Sequence, residues 1–598
     1  MKPTGVCVAV LLTLPGSATG QIDFSAFHTP AQVNAEMGNL VTRFPGLVQQ
    51  VQVGSTIDGH PISALRVSGP TASGDVIIVA LHHAREWIAT EVALYIAEHL
   101  LTRRATDPQL SQDMSNLNIW IVPVVNPDGY AYTESSDRYW RKNRRDNGDG
   151  TFGVDLNRNW GYQWGLSSGS SGLTYSDTYR GSAPFSEPET QALRDLVNSV
   201  GNLKALVTYH SYSELYLRPW AYVTDDPPGE STLKSLAQRS IAVIAAVHGH
   251  TYQEEIWYTS SGETTDYLWG ERRVAAFTPE LRPTCCGLTG FSPAASEIIP
   301  TAEENFPPVL ALVHDAGARE VWIRDYPGDN GDEPSAVWTA GGWSHAFWVS
   351  PDIWTVPSEL SEGTTVTLNV HVLNNTTASV MGVEVSAYWN DPRISLEFPA
   401  LNSNPIGTQT VDVPPGGITI TMPWTVPIGT NSWGERHWCV GVVLKSAHDM
   451  PLTNQAQRSS NIAIRNFNTT TVATSQTLFV AAENFLNVPA ELRVVVDTTR
   501  LPAGWRVFVP FPPRTPEPQR ERPVTGLERK ARLLGVRGPI LMAGQTILIA
   551  VRVEVPNAAP DGATADIDVH GALLPLVPGE RGAIGNGYTY RVVVRRRP

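Results

Sequence analysis

Apolar and polar positions divide the chain into two regimes. Up to about residue 320, unbroken apolar runs alternate with stretches of helical spacing; from Trp338 onward, short alternating runs are split by Pro, Gly and Asn. In the first regime, Val76-Ile77-Ile78-Val79-Ala80-Leu81 is continuous and rich in β-branched residues, which predicts a strand buried on both faces. Behind it, Ile88, Val92, Tyr95, Ile96, His99 and Leu100 fall near one side of a helix over 88–101. Leu203 to Tyr209 and Val274 to Thr278 read as further strands, and Ala31 to Phe44, Leu233 to Val247 and Glu303 to Ala318 as helices. Strands alternating with helices predict an α/β domain over 21–320. In the second regime, Thr364–Leu373, Val383–Trp389, Ile418–Trp424, His437–Leu444, Thr477–Ala482, Leu492–Val496, Thr546–Val555 and Tyr588–Val594 read as strands. Their spacing predicts two β-sandwich domains, 338–466 and 467–598, after a linker over 321–337. The basic spots at Lys530 to Arg537 and Arg595 to Arg597 read as solvated loops.

Composition narrows the class. A chain of 598 residues is too long for one core, and 42% hydrophobic residues with 18 Trp indicate packed domains, not disorder. The net charge, 44 − 58 = −14, disfavours nucleic acid and anionic membrane surfaces as partners. Residues 1–20 read as a signal peptide, with Lys2, the apolar Val6 to Leu14 and the small residues Gly16 to Gly20, so a secreted, extracellular protein is expected. Cys7 lies in that segment, Cys285 and Cys286 are adjacent, and Cys439 lies far downstream. This is neither a disulfide framework nor a zinc-finger spacing, and it leaves the adjacent pair open between bridge and free thiols.

The candidate chemistry sits at strand ends. His83-x-x-Glu86 follows the first buried strand, where open α/β sheets bind their ligands. Imidazole and carboxylate are common zinc donors, and a catalytic zinc takes three protein ligands. His210, ending the run from Leu203, is the candidate third. His82 is a rival within the same turn, and His248-Gly249-His250 reads as a helix end. Clustered acids at 146–150 and 325–334 offer oxygen ligands for Ca²⁺ but lack EF-hand spacing; solvated turns are the preferred reading.

The motifs come in a telling order: His83-x-x-Glu86, Asn126-Pro127-Asp128-Gly129-Tyr130, Trp140-Arg141-Lys142-Asn143-Arg144, Asp155-Leu156-Asn157-Arg158-Asn159-Trp160, His210-Ser211-Tyr212, Tyr258 and Glu280-Leu281-Arg282. Over about residues 22–317 the chain resembles the zinc metallocarboxypeptidases of the carboxypeptidase A type, and most their secreted bacterial branch. The resemblance implies a central mixed sheet flanked by helices and one Zn²⁺ held by His83, Glu86 and His210. It implies Asp155 as acceptor for the first His, Arg141 as oxyanion stabiliser, and Glu280 as general base for a zinc-bound water. Asn157, Arg158 and Tyr258 would grip the substrate's terminal carboxylate, with Arg85 as a further contact. The pocket for the last side chain would be lined by Leu217, Ala221, Ser260, Glu263, Thr264, Thr265 and Thr278. Thr265 stands where relatives that cut after Lys or Arg carry Asp, and Glu263 brings an acid two residues earlier, so broad preference is expected. Pro279, before Glu280, departs from the larger residue often found there. Phe24 to Val67 already resembles the catalytic start, leaving no room for an inhibitory pro-segment. The C-terminal modules are similar to immunoglobulin-like accessory modules of secreted bacterial proteins.

A monomer acting on peptide or protein C-termini follows, with no nucleic-acid or membrane partner. Two rivals stand beside it: an enzyme of bacterial wall peptides, against which intact Asn157, Arg158 and Tyr258 argue, and an adhesive or matrix-binding protein with an inert peptidase domain, against which intact ligands and base argue.

Overall fold

The computed structural model describes residues 20–598 apart from 167–168, 228–229, 255–258, 318–319, 330–337, 340–341, 344–347, 359, 377, 391–402, 429–437, 448, 454–458, 460, 468, 473–474, 484–488, 498–500, 510–523, 526–532, 543–545, 576–582 and 595–598. Residues 1–19 of the segment expected to be a signal peptide, and Tyr258, therefore lie outside the described residues.

The first regime folds around a seven-stranded sheet of β1 (Val48–Ser55), β2 (Pro61–Ser68), β3 (Gly74–Ala80), β4 (Leu117–Val122), β5 (Leu203–Ser211), β6 (Leu215–Leu217) and β7 (Ala275–Leu281), in the order β1-β2-β4-β3-β5-β7-β6. The pairs β3–β4, β3–β5 and β5–β7 are parallel and the outer ones antiparallel, so the sheet is mixed. Every residue of β3 is buried, as its continuous apolar run demands. Val76, Ile78 and Ala80 enter one core, with α1 (Pro30–Arg43), α2 (Trp87–Arg103), α3 (Pro108–Ser115), α6 (Glu230–His248) and α8 (Ile298–Gly317). Ile77 and Val79 enter the other, with α5 (Pro188–Ser199) and α7 (Thr264–Arg272). The remaining helix, α4 (Pro127–Ser135), begins at the Asn-Pro-Asp-Gly motif, where Asn126 accepts a hydrogen bond from Gly129 N. His248 ends α6, and Gly249 follows at φ +80°, as its sequence context suggests.

The chain leaves β3 through Leu81 at φ 60°, an uncommon conformation for a bulky residue, held there by complete burial. That turn lifts His82 to Glu86 over the sheet edge. Because β3 pairs with β4 on one side and β5 on the other, the loop lands at the strand-order switch, where α/β sheets open a crevice.

The second regime is all β. Ile353–Val356, Thr365–Asn374 and Ile418–Thr425 form one sheet; Asn404–Val413, Val380–Asn390, Trp438–Lys445 and Ile462–Phe467 form another. Val366, Leu368, Val370 and Val372 alternate inward and meet Val385, Ala387, Val440 and Val442 in a shared core. Val321 and Trp322 pair with Asn374 and Leu373, and Val321 and Ile323 enter that core, so the segment expected as a linker starts as part of a sheet. Further on, a five-stranded sheet and a four-stranded sheet enclose a core with Val494, Trp505, Ile549, Val551 and Ile567. Of the basic stretch 530–537, expected as a solvated loop, residues 533–537 instead lie in the edge strand Leu533–Leu541, whose Leu541 is buried, and 530–532 lie outside the described residues. Among the described residues no helix is long and apolar enough to cross a membrane.

The first β module is anchored to the α/β domain. Asp449 accepts from Glu320 N at 3.0 Å and Val321 N at 3.1 Å, Met450 N donates to Asp315, which is ion-paired with Arg239 of α6, and Leu452 joins the helical core. Burial pushes the Asp449 carboxyl up to about 7, against the pull of its backbone donors. A raised carboxyl keeps its proton in the folded state while the unfolded chain loses it, so this contribution to stability is present below about pH 4 and is lost as pH rises to about 7. In Asp449→Asn the urea-unfolding free energy lost between about pH 5 and about pH 8 should shrink by about 1–3 kcal/mol. An unchanged slope would contradict a buried, raised carboxyl.

Candidate active site

His83 and Glu86 lie in the loop after β3, and Glu86 is the residue that starts α2. Its carboxylate makes no capping bond and turns into the cleft. His210 lies within β5 and is buried. His83 Nδ1 stands 2.8 Å from one Glu86 oxygen, His210 Nδ1 stands 3.0 Å from the other, and the two Nδ1 atoms are 3.0 Å apart. Among the described residues this is the one group of three His, Cys, Asp or Glu side chains whose ligand atoms converge within 4.8 Å.

The ring orientations explain what those atoms are for. His83 Nε2 meets Asp155 Oδ1 at 3.0 Å. Arg141 donates from both Nε and Nη2, at 3.0 Å, to the other Asp155 oxygen. Burial opposes a charge on Asp155, yet Arg141, His83 and Arg158 hold its carboxyl well below the usual range. An ionised carboxylate can only accept, so His83 donates its Nε2–H and keeps a lone pair on Nδ1. His210 Nε2 faces Thr208 Oγ1 at 3.2 Å, which leaves its Nδ1 lone pair inward too. Burial lowers the His210 imidazole, favouring the neutral form that ligates. Burial likewise opposes a charge on Glu86, but the two imidazoles hold its carboxyl below the ordinary value. Two nitrogen lone pairs and a carboxylate facing one another at hydrogen-bond distance suit a small cation, and two N and one O donors suit zinc. The residues fit the metal that the motif implies.

The rest of the cleft assembles around this group. Glu280 lies in register with His210 across the parallel β5–β7 pair. Burial and the neighbouring Glu86 charge push its carboxyl well up, against Arg141. Pro279 before it sits within β7, opposite Tyr216 of β6, without displacing the strand. Arg158, buried at 3% exposure, donates Nε to Gly169 O at 2.9 Å and Nη1 to Asn157 O at 2.8 Å. Asn157 Oδ1 accepts from Thr264 N and Oγ1, tying the loop to the start of α7. Glu263 pairs with Arg158 at 3.0 Å and accepts from the Ser260 hydroxyl. Thr265 and Thr278 are buried nearby on α7 and β7. Arg85 stacks over Phe291 at 4.2 Å and reaches Tyr139 O and Asp177 at the rim. His82, the rival histidine, is fully buried, stacks on His210 and meets Thr208 Oγ1 at 3.2 Å; it is a packed neighbour of the group.

Several supporting residues were not singled out from the sequence. Thr208 orients both His82 and His210; its signal was its place two residues before His210, on the same strand face. Asn126 donates to His82 O and Lys142 O, so the Asn-Pro-Asp-Gly motif fastens two functional loops together. Gly129 belongs to that clamp, since a Cβ there would lie 2.7 Å from the Asn126 amide and from Lys142 O. Cys285 and Cys286 are joined by a disulfide in the exposed turn after β7. Of the two acidic clusters, Asp146 and Asp149 spend carboxylate oxygens on Gly148 N, Thr151 N and the hydroxyls of Thr151 and Thr174.

Comparison with known proteins identifies the family. Residues 33–308 match the family model described as zinc carboxypeptidase. Carboxypeptidase A1 of Mus musculus is 36% identical over 302 residues, spanning 50% of this chain and 71% of that protein. Carboxypeptidase B of Astacus astacus is 36% identical over 302 residues, 49% of this chain and 98% of that protein. The crystal structure of the carboxypeptidase A from Helicoverpa armigera is 29% identical with a TM-score of 0.45, covering 50% of this chain and 76% of that one.

Asp155 gives the site a test that needs no turnover. In Asp155→Asn the acceptor that sets the His83 tautomer loses its charge, and zinc affinity, read by competition with a chelating dye, should fall by about 10–100-fold. Unchanged affinity would mean that His83 is oriented by something else.

Proposed function

The chain belongs to the zinc carboxypeptidase family and is a metallocarboxypeptidase, and we propose that it releases single residues from the C-termini of peptides and proteins with Glu280 as general base and acid. His83, Glu86 and His210 would hold the zinc. When bound, the metal lowers the pKa of a water and polarises the scissile carbonyl.

The side chains supply the rest. Glu280 takes the proton of the attacking water and passes it to the leaving amine; its raised carboxyl is shifted in the direction such a shuttle needs near neutral pH. Arg141, held on Asp155 close to Glu86, supplies positive charge for the developing oxyanion. Arg158 binds the terminal carboxylate through its planar fork, with Asn157 and Tyr258 completing the grip. A fixed cation at that depth accepts a chain end and rejects an internal peptide bond, which would bring no charge to it. The pocket of Glu263, Thr265 and Thr278 mixes one acid with small polar groups, which supports broad preference. The apolar N-terminal segment supports export from the cell, and the protein acts as a monomer.

One observation supports this reading above the others. His210 of the metal-binding group and Glu280 stand in register on the adjacent parallel strands β5 and β7, and His83 and Glu86 reach His210 from the loop after β3.

The test is amino-acid release from N-blocked dipeptides that differ only in the last residue. Release should stop on chelation and return with zinc. Glu280→Gln should lower kcat by about 10²–10⁴-fold with little change in KM. Release that survives chelation, or a fully active Glu280→Gln, would refute the proposal.

A further inference from the structure

Glu263 occupies the binding partner that a substrate needs. Its carboxylate lies 3.0 Å from Arg158 Nη1, and the pair is almost wholly enclosed. Arg158 is fixed from the other side by Gly169 O and Asn157 O, so the guanidinium has no room to turn away. A terminal carboxylate arriving at Arg158 meets a carboxylate already there. Asp266, in the first turn of α7, and Glu280 border the same corner: burial first, and the Glu263 charge among their neighbours, push both carboxyls up. Two carboxylates in one enclosed pocket repel strongly.

The movable member is Glu263. It precedes α7 and makes no capping bond, so swinging its side chain breaks no backbone hydrogen bond of the helix. Its other partner is the Ser260 hydroxyl three residues earlier. Asp266 is held by Ala221 N and Tyr222 N and is not released in the same way. Thr278, two residues before Glu280 and therefore on the same face of β7, has a buried hydroxyl with no hydrogen-bond partner, a donor for a relocated carboxylate.

We infer that Glu263 is an internal rival of the substrate carboxylate for Arg158, and that a C-terminal Lys or Arg is favoured because its side chain takes over the displaced Glu263. With a neutral last residue the displaced carboxylate is left in the pocket without a cation, and binding suffers. With a basic one, two ion pairs replace one: terminal carboxylate on Arg158 and Glu263 on the substrate's cation. This account rests on the carboxypeptidase reading above. It adds a sign that an ordinary acidic pocket residue does not give, because removing the charge of Glu263 should improve neutral substrates.

The experiment measures KM and kcat of the wild type and Glu263→Gln on N-blocked dipeptides ending in Phe, Leu, Lys and Arg. Product inhibition by free L-phenylalanine and L-arginine is measured alongside. Neither KM nor an inhibition constant depends on the fraction of folded enzyme, so a poorly folding variant still reports. In Glu263→Gln, KM for Phe and Leu substrates and the inhibition constant of phenylalanine should fall by about tenfold, while those for Arg and Lys rise by about tenfold. Neutral-substrate constants that stay put or rise in the variant would overturn the rivalry, and Arg constants that do not rise would overturn the hand-over. A wild type that releases no residue from any of the dipeptides would instead refute the carboxypeptidase function.

Discussion

Three electron-rich atoms are held together in a buried cleft, with the Arg141 guanidinium 3.7 Å from the Glu86 carboxylate. His83 Nδ1, His210 Nδ1 and the Glu86 carboxylate converge within a few ångströms, and folding alone gives no reason for them to do so. The surroundings enforce it: Asp155 takes the outer N–H of His83, Thr208 faces that of His210, and Leu81 is bent into an uncommon backbone conformation so that the loop reaches the cleft. Such an arrangement is costly without a cation and stable with one, so metal binding and the local fold stabilise each other.

The same carboxylate that orients His83 also holds Arg141, so the proposed metal ligand and the proposed oxyanion stabiliser are positioned by one buried group. Glu280 joins them through strand pairing and needs no loop, which suits a group whose placement must be accurate. Recognition is left to the segments from 155 to 158 and from 260 to 265, where Asn157 ties one to the other. The sheet therefore carries His210 and Glu280, while loops carry His83, Glu86 and the groups proposed to choose the substrate.

Much of this was legible in the sequence because the relevant signals are local. The unbroken apolar run of β3 could only be a doubly covered strand, and the strand ends marked His83, Glu86 and His210. Glu280 and Asp155 were legible only through the order of motifs, since a lone carboxylate carries no pattern. The ion pair of Glu263 with Arg158 was not legible at all: about a hundred residues separate partners that meet only through the tertiary fold. In the β region many strands with alternating apolar residues were found, but Thr564–Pro575, which sends Ala565, Ile567 and Val569 into the core, was missed; so were Asn404–Val413 and Leu533–Leu541. Both are edge strands; the first is largely polar and the second is broken by Gly535, Gly538 and Pro539, so neither shows the inward alternation that marks a strand.

The most direct measurement is the zinc content of the purified protein, read by elemental mass spectrometry beside that of His210→Ala with its far-UV dichroism recorded. The account predicts one zinc per wild-type chain, and its loss from a variant that keeps its secondary structure. A wild type that takes up no zinc, or a folded His210→Ala that keeps a full complement, would contradict it.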